Sequence, residues 1–278
     1  MIKIAISVES SADLTAEMLA KYDVKVIPYH ITVGDETFDD GEKSAEELFA
    51  VVDKTGVLPK TTALNEFEYA EFFNGLKKDY GAVIHLCLSG GITSSCGNAV
   101  RAASGIKNVF VVDSRSLSIG TGSLAIYARE LADKGTRPEE IVKSLEDAVK
   151  KTVTSFIIER LDYLHKGGRC GSIALLGANL LKIRPRIIMK DGKMVSDKKY
   201  RGGMASVVGK FAEELFAEFP PVGDRVSIAY TTATSEMIQA ATDKCKEAGF
   251  NEIFIVRAGA TISSHCGANT LGIFYISK

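Results

Sequence analysis

The chain lacks the features that would place it in several large functional classes. It has no excess charge: 34 Lys and Arg stand against 35 Asp and Glu in 278 residues, a formal net charge of -1. With no net field to hold a polyanion, nucleic acid is not expected as a partner. No apolar run approaches the roughly 18–20 residues that a bilayer-spanning helix needs, so no integral membrane span is expected. The five cysteines, Cys87, Cys96, Cys170, Cys245 and Cys266, show no paired metal-ligand spacing. Reduced thiols in the cytoplasm, and no metal, are the default. The opening MIKIAISVESSADL has no basic stretch before a longer apolar run, and it reads as a first strand and turn rather than a signal peptide. Nucleotide signatures are also missing. Gly90-Gly91 is not followed by Lys-Ser or Lys-Thr at Walker spacing, and no G-x-G-x-x-G follows the first strand. No ATP or dinucleotide site is expected, and no cofactor is assigned.

What is present is an alternation of short apolar runs and longer helical patterns. Hydrophobic residues make up 46% of the chain, enough for a sizeable core near the length at which one core divides into two. Strands are expected at residues 2–8, 24–31, 83–88, 109–112, 226–230, 252–256 and 272–276, with Pro28 marking an edge or an irregularity. Ser44-Ala45-Glu46-Glu47 is a capping-box start to a helix, and Asn65 caps the next. Further helices are expected at residues 117–134, 138–151, 173–181, 211–219 and 235–248, and Asp191-Gly192 reads as a hairpin turn. The fold class is α/β, with a parallel sheet flanked by helices in the first half. A division is expected near residues 155–165, giving domains 1–160 and 161–278. No linker rich in Pro, Gly or Ser marks it, so a substantial shared interface is expected.

Hydroxyls cluster where such a sheet gathers ligands. Segments 7–11, 89–95 and 113–118 follow expected strands, and Thr61-Thr62 precedes a helix. Beyond the carboxyl ends of parallel strands, hydroxyls and free N–H groups can receive a carboxylate or phosphate without a lysine. Ordinary caps and turns are the other reading of each segment. His265, in the small polar stretch 262–267, suits an anionic head group, proton transfer or a structural role. His30, His85 and His165 are scattered and read as structural. Cys266 beside His265 is poorly placed for a nucleophile–base pair, and Cys96 reads as a small buried hydrophobe. Arg201, after Lys198-Lys199-Tyr200, either clamps an anion or belongs to a solvated charged face. Asp113 ends a strand, where it suits a catalytic carboxylate or a helix cap.

Several segments together resemble the DegV family of fatty-acid-binding proteins. They are Val8-Glu9-Ser10-Ser11-Ala12-Asp13-Leu14, Thr61-Thr62, Leu88-Ser89-Gly90-Gly91-Ile92-Thr93 and Val112-Asp113-Ser114 in the first half. The second half adds Leu161-Asp162-Tyr163-Leu164-His165-Lys166-Gly167-Gly168-Arg169, Leu176-Gly177, Ile183-Arg184-Pro185, Asp191-Gly192-Lys193, Tyr200-Arg201-Gly202 and His265-Cys266-Gly267. The chain departs from the family pattern at Thr62-Ala63-Leu64, in the 89–95 loop, at Cys170 and at 266–269, keeping hydroxyls at most of the changed positions.

The resemblance implies two α/β domains, the second with a mixed sheet, and a tunnel between them for one long-chain fatty acid. It implies that Thr61 and Thr93 hold the carboxylate, that Thr62 and Ser95 assist, and that His265 contacts it from the second domain. Arg201 would lie near the opening. The protein would be a carrier without catalytic residues that presents the carboxylate to a separate ATP-dependent kinase making acyl phosphate for phospholipid synthesis. The alternative is a hydrolase or transferase acting on a small anionic substrate through His265 and Asp113.

Overall fold

The computed structural model describes residues 2–171 and 183–278. The expected helix at 173–181 and the Leu176-Gly177 element lie outside the described residues. In chain order the first part runs β1 (Ile4–Glu9), α1 (Ala16–Lys21), β2 (Val24–Ile27), β3 (His30–Val33), β4 (Glu36–Asp39), α2 (Ala45–Thr55), β5 (Lys60–Thr62), α3 (Glu66–Lys77), β6 (Ala82–Cys87), α4 (Ser95–Ser104), β7 (Val109–Asp113), α5 (Ile119–Asp133) and α6 (Pro138–Lys151). The second runs β8 (Thr152–Ile157), α7 (Leu161–Gly167), β9 (Ile183–Lys190), β10 (Lys193–Arg201), α8 (Met204–Glu218), β11 (Pro221–Tyr230), α9 (Ser235–Glu247), β12 (Glu252–Arg257), α10 (Ala260–Cys266) and β13 (Leu271–Ser277).

A four-stranded parallel sheet, order β2-β1-β6-β7, forms the centre of the first part. The strands β1 and β6 are buried along their whole length, as both faces of a helix-covered parallel sheet require. The helices α3 and α4 pack one face through Tyr69, Phe73 and Ala99, while α5 and α6 pack the other through Leu124, Ile141 and Leu145. The expected capping box of Ser44 with Glu47 forms, and Asn65 caps α3 as expected, there too in a capping box, with Glu68. The run 24–31 is two strands rather than one. Pro28 has no N–H to continue a ladder, and after it the chain leaves the parallel sheet for a small antiparallel one, order β4-β3-β5.

The second part is a mixed six-stranded sheet, order β10-β9-β8-β13-β11-β12. Asp191 and Gly192, both at positive φ (50° and 76°), make the hairpin turn between β9 and β10, as such turns demand. The strand β8 hydrogen-bonds between β9 and β13, so the chain changes sheets at the junction of α6 and β8. The division read at 160 and 161 is thus preceded by a strand of the second sheet. Since helix runs directly into strand there, no linker composition marks the crossing.

The two parts meet in a continuous apolar layer. Leu88, Leu117 and Ile119 from the first pack with Phe156, Ile262 and Phe274 from the second, all buried. No described helix is long and apolar enough to cross a membrane.

Candidate ligand-binding site

The hydroxyl-rich loops do converge. The carboxyl ends of β1, β6 and β7 lie side by side, and their loops are tied together by Ser89 N–H donating to Ser116 O at 3.0 Å and Gly90 N–H to Asp113 Oδ1 at 3.2 Å. Asp113 also accepts from Arg115 N–H at 2.9 Å. It is a loop clasp, and it does not line the void that contains His265.

Across this loop cluster stands α10, brought in by two carboxylates of the first part. Asp13 accepts the Gly259 N–H and Asp40 the Ala260 N–H, each at 2.8 Å. Gly259 is needed for so close an approach, because a Cβ there would come within 2.9 Å of Asp40 Oδ1. Ser118 donates its hydroxyl to the other oxygen of Asp13. Burial pushes the Asp13 carboxyl up to about 8, against the pull of its hydrogen bonds and with help from Asp40. The native protein therefore holds a proton that the unfolded chain, with its ordinary 3.8, releases. Stability from this group is full in acid and is lost as pH rises through about 8. Asp13→Asn, which keeps an acceptor but cannot ionise, is expected to flatten the decline of the urea midpoint between pH 5 and pH 9. An equal decline in both proteins would remove Asp13 as its source.

The helix α10 places His265 against Thr61, with Nε2 and Oγ1 2.8 Å apart. Two glycines of the Lys166-Gly167-Gly168-Arg169 element make this possible. A Cβ on Gly167 would lie 2.8 Å from His265 Nδ1, and Gly168, at φ 69°, ends α7 in the left-handed conformation. His265 is half-buried, and loss of solvent around the ring, reinforced by the positive charge of Arg169, lowers its pKa to about 4. At neutral pH it is an uncharged imidazole, a hydrogen-bond partner rather than a cation.

Thr61, Thr93 and His265 together line a void of 80 Å³ between the two parts. Tyr29, Arg169 and Thr261 also line it. Tyr29 Oη, Thr261 Oγ1 and His265 Nδ1 are buried with no hydrogen-bond partner among the described residues. The Tyr29 hydroxyl lies near those of Thr93 and Ser95 without reaching hydrogen-bond geometry. Such unmatched groups in the wall of a void mark a place suited to a polar ligand.

The void has two neighbours. Inward, a 20 Å³ space shares Leu117, Ile262 and Cys266 with it and continues along Phe156 and Phe274. Outward, a 470 Å³ recess shares Thr61, Arg169 and His265 and adds Lys60 and Lys166. The hydroxyl–imidazole group thus stands between an apolar passage and a basic entrance.

Not every residue singled out from sequence joins this group. Thr62 is exposed, because successive strand residues face opposite ways and Thr61 faces in. Ser95 is buried behind the wall, where its Oγ accepts from Leu64 N–H at 3.1 Å and from the Thr93 hydroxyl at 3.1 Å. It shapes the loop that presents Thr93. Arg201, at the exposed end of β10, lines none of these three spaces; Arg169 stands there instead. Tyr29 and Thr261 were not legible as site residues. For Thr261 there was a signal, since it precedes His265 by one helical turn and shares its face.

A second polar cluster, Glu9, His85 and Cys87, is completely buried with ligand-type atoms within 4.8 Å of one another. Glu9 already accepts from Tyr69 Oη and Leu88 N–H, both at 2.7 Å, and His85 Nδ1 pairs with Ser7 Oγ at 3.0 Å. This network anchors the start of the loop after β6.

A family model described as "Uncharacterised protein, DegV family" matches residues 3–278. A relative from Thermotoga maritima, named "Fatty acid-binding protein", is 27% identical over 279 residues, spanning 97% of this chain and 96% of its own. The crystal structure of DegV from Bacillus subtilis, described as a fatty acid binding protein, superposes with a TM-score of 0.86 at 27% identity, with 100% of both chains covered. A DegV family protein from Thermus thermophilus superposes with a TM-score of 0.91 over 100% of both chains, and at 23% identity that likeness speaks for the fold alone. Shared architecture and a match over nearly the whole chain lead to one assignment: the chain belongs to the DegV family.

Proposed function

We propose that this protein binds one long-chain fatty acid, with its carboxylate at Thr61, Thr93 and His265 and its chain in the apolar layer between the two parts. The observation that carries this reading is the junction itself, where three unmatched or pairable polar groups meet an apolar passage between the two parts. A hydroxyl can accept one hydrogen bond while donating another. Neutral His265 donates Nε2–H to Thr61 Oγ1, and Thr61 in turn donates its O–H as a hydrogen bond to the carboxylate. Thr261, whose hydroxyl has no partner among the described residues, is a further donor, and Thr93 becomes one by turning its hydroxyl from Ser95 to the ligand. The relatives described as fatty acid binding proteins support the same ligand class.

Each methylene withdrawn from water contributes about 0.8 kcal/mol, partly offset by ordering the ligand. The 80 Å³ void is small beside the roughly 300 Å³ at which ligand pockets begin. Entry of the chain therefore displaces side chains of the seam. Met194, which lines the void, is unbranched and can move aside at little cost.

Presentation to a separate kinase extends the proposal. The carboxylate end faces the recess bearing Lys60, Lys166 and Arg169, cations suited to an incoming phosphoryl group. This chain then contributes binding and orientation, and ATP chemistry belongs to the partner. The reading places it in the cytoplasm, in keeping with cysteines scattered along the chain without paired spacing. Asp113, spent on its loop, lends no support to a hydrolase acting with His265. Organic extraction of the purified protein followed by mass spectrometry is expected to release a fatty acid in near-stoichiometric amount. A protein that yields no lipid and takes up no added hexadecanoate would leave the proposal without a ligand.

A further inference from the structure

The apolar passage stops at Phe274, and behind it lies a much larger space. A 500 Å³ cavity sits between α5 and α6 on one side and β11 and β13 on the other. Phe274 lines both this cavity and the 20 Å³ space that continues the head-group void. On β13, Leu271, Ile273 and Tyr275 join the core cluster that contains the buried residues of α8 and α9, whereas Phe274 joins the layer between the two parts. Its partners in register are small, Thr154 on β8 and Ser227 on β11. The ring is also wedged between two glycines. A Cβ on Gly120 would come within 2.9 Å of Cδ1, and one on Gly272 within 2.9 Å of Cε2. The wall at this point is one aromatic ring set among residues with little or no side chain.

We propose that the cavity behind Phe274 is a distal acyl-chain site, and that the Phe274 ring is the gate that limits how much of a fatty acid chain this protein holds. The inference rests on the fatty-acid reading above. A chain anchored at Thr61 and running past Ile262 meets the ring of Phe274. Leu124, Tyr127 and Ile276 give the cavity beyond an apolar lining, which it shares with the charged side chains of Asp147, Lys151, Asp224 and Arg225. Space of 500 Å³ lies within the range of about 300–1,000 Å³ found for ligand pockets. The Ser123 and Ser227 hydroxyls, 3.0 Å apart, hydrogen-bond to each other beside the gate.

The test uses the full delipidated chain and an equimolar mixture of saturated acids from tetradecanoic to tetracosanoic, with bound acids read by native mass spectrometry. Phe274→Ala is expected to shift retention towards the longest acids, by about tenfold in affinity for each two methylenes newly admitted. Phe274→Leu, which keeps the site apolar and folds if Ala does not, is expected to show a smaller shift in the same direction. Adding Ser123→Phe, which fills the cavity from α5, is expected to cancel the gain without loss of hexadecanoate. A folded gate variant with parental length preference overturns the gate, as does a gain that Ser123→Phe leaves intact. Failure of the parent to hold any acid removes the fatty-acid reading itself, and the gate with it.

Discussion

A Thr61→Val, Thr93→Val double variant is expected to bind hexadecanoate roughly ten- to a hundredfold more weakly than the parent, the cost of leaving a buried carboxylate without two of its donors. Valine matches threonine in shape, so the walls of the void are kept and only hydrogen bonding is removed. Thr61→Val is expected to account for the larger share, because it also ends the 2.8 Å pairing with His265. Thr62→Val is the control. It sits one residue along the same strand but faces solvent, and its affinity is expected to be unchanged. Isothermal titration with delipidated protein measures all four chains. Parental affinity in the double variant would place the carboxylate elsewhere, and an equal loss from Thr62→Val would trace the effect to strand damage.

Replacing Asp197 and Glu218 together by Ala is expected to lower the unfolding free energy by about 3–5 kcal/mol, the usual penalty for stranding a buried charge. The charge is that of Arg186 on β9, whose side chain is 0% exposed. Its Nε donates to Asp197 Oδ1 at 2.8 Å, and its Nη1 lies 2.9 Å from Glu218 Oε2. Guanidinium cannot shed its proton to escape burial. The two carboxylates are in a different position, being 29% and 37% exposed. When Arg186 is the residue removed they are able to rehydrate, so Arg186→Met is expected to cost less than half as much. Urea unfolding of the three chains gives the comparison. Losses in the reverse order would mean that water already reaches Arg186.

Local sequence signals were reliable where the governing interactions are local. Ser44 with Glu47, Asn65 with Glu68, and Asp191-Gly192 announce caps and a turn because each satisfies its backbone within a few residues. The strand run 24–31 failed for a non-local reason. Pro28 marks where the ladder is interrupted, but only the existence of a second small sheet gives His30–Val33 partners away from Val24–Ile27. The 260–266 segment was missed as a helix because its capping groups, Asp13 and Asp40, lie more than two hundred residues away. Thr62 was grouped with Thr61 by chemistry, and strand alternation separated them. Arg201 and Arg169 were alike as sequence features, yet only Arg169 follows the Gly167-Gly168 turn that packs on His265.

Residue order alone determined the α/β class, the parallel sheet of the first part and the hydroxyl-bearing loops at its carboxyl edge. Those follow from apolar periodicity and from the way a parallel strand must hand over to a helix, which act over a few residues at a time. The meeting of Thr61 with His265, the choice of Arg169, and the ring of Phe274 set between Gly120 and Gly272 were decided by the tertiary structure. They depend on β8 leaving the first part to stand beside β13 and on two aspartates drawing α10 across the seam, and no short-range pattern encodes the distance between groups that packing brings together.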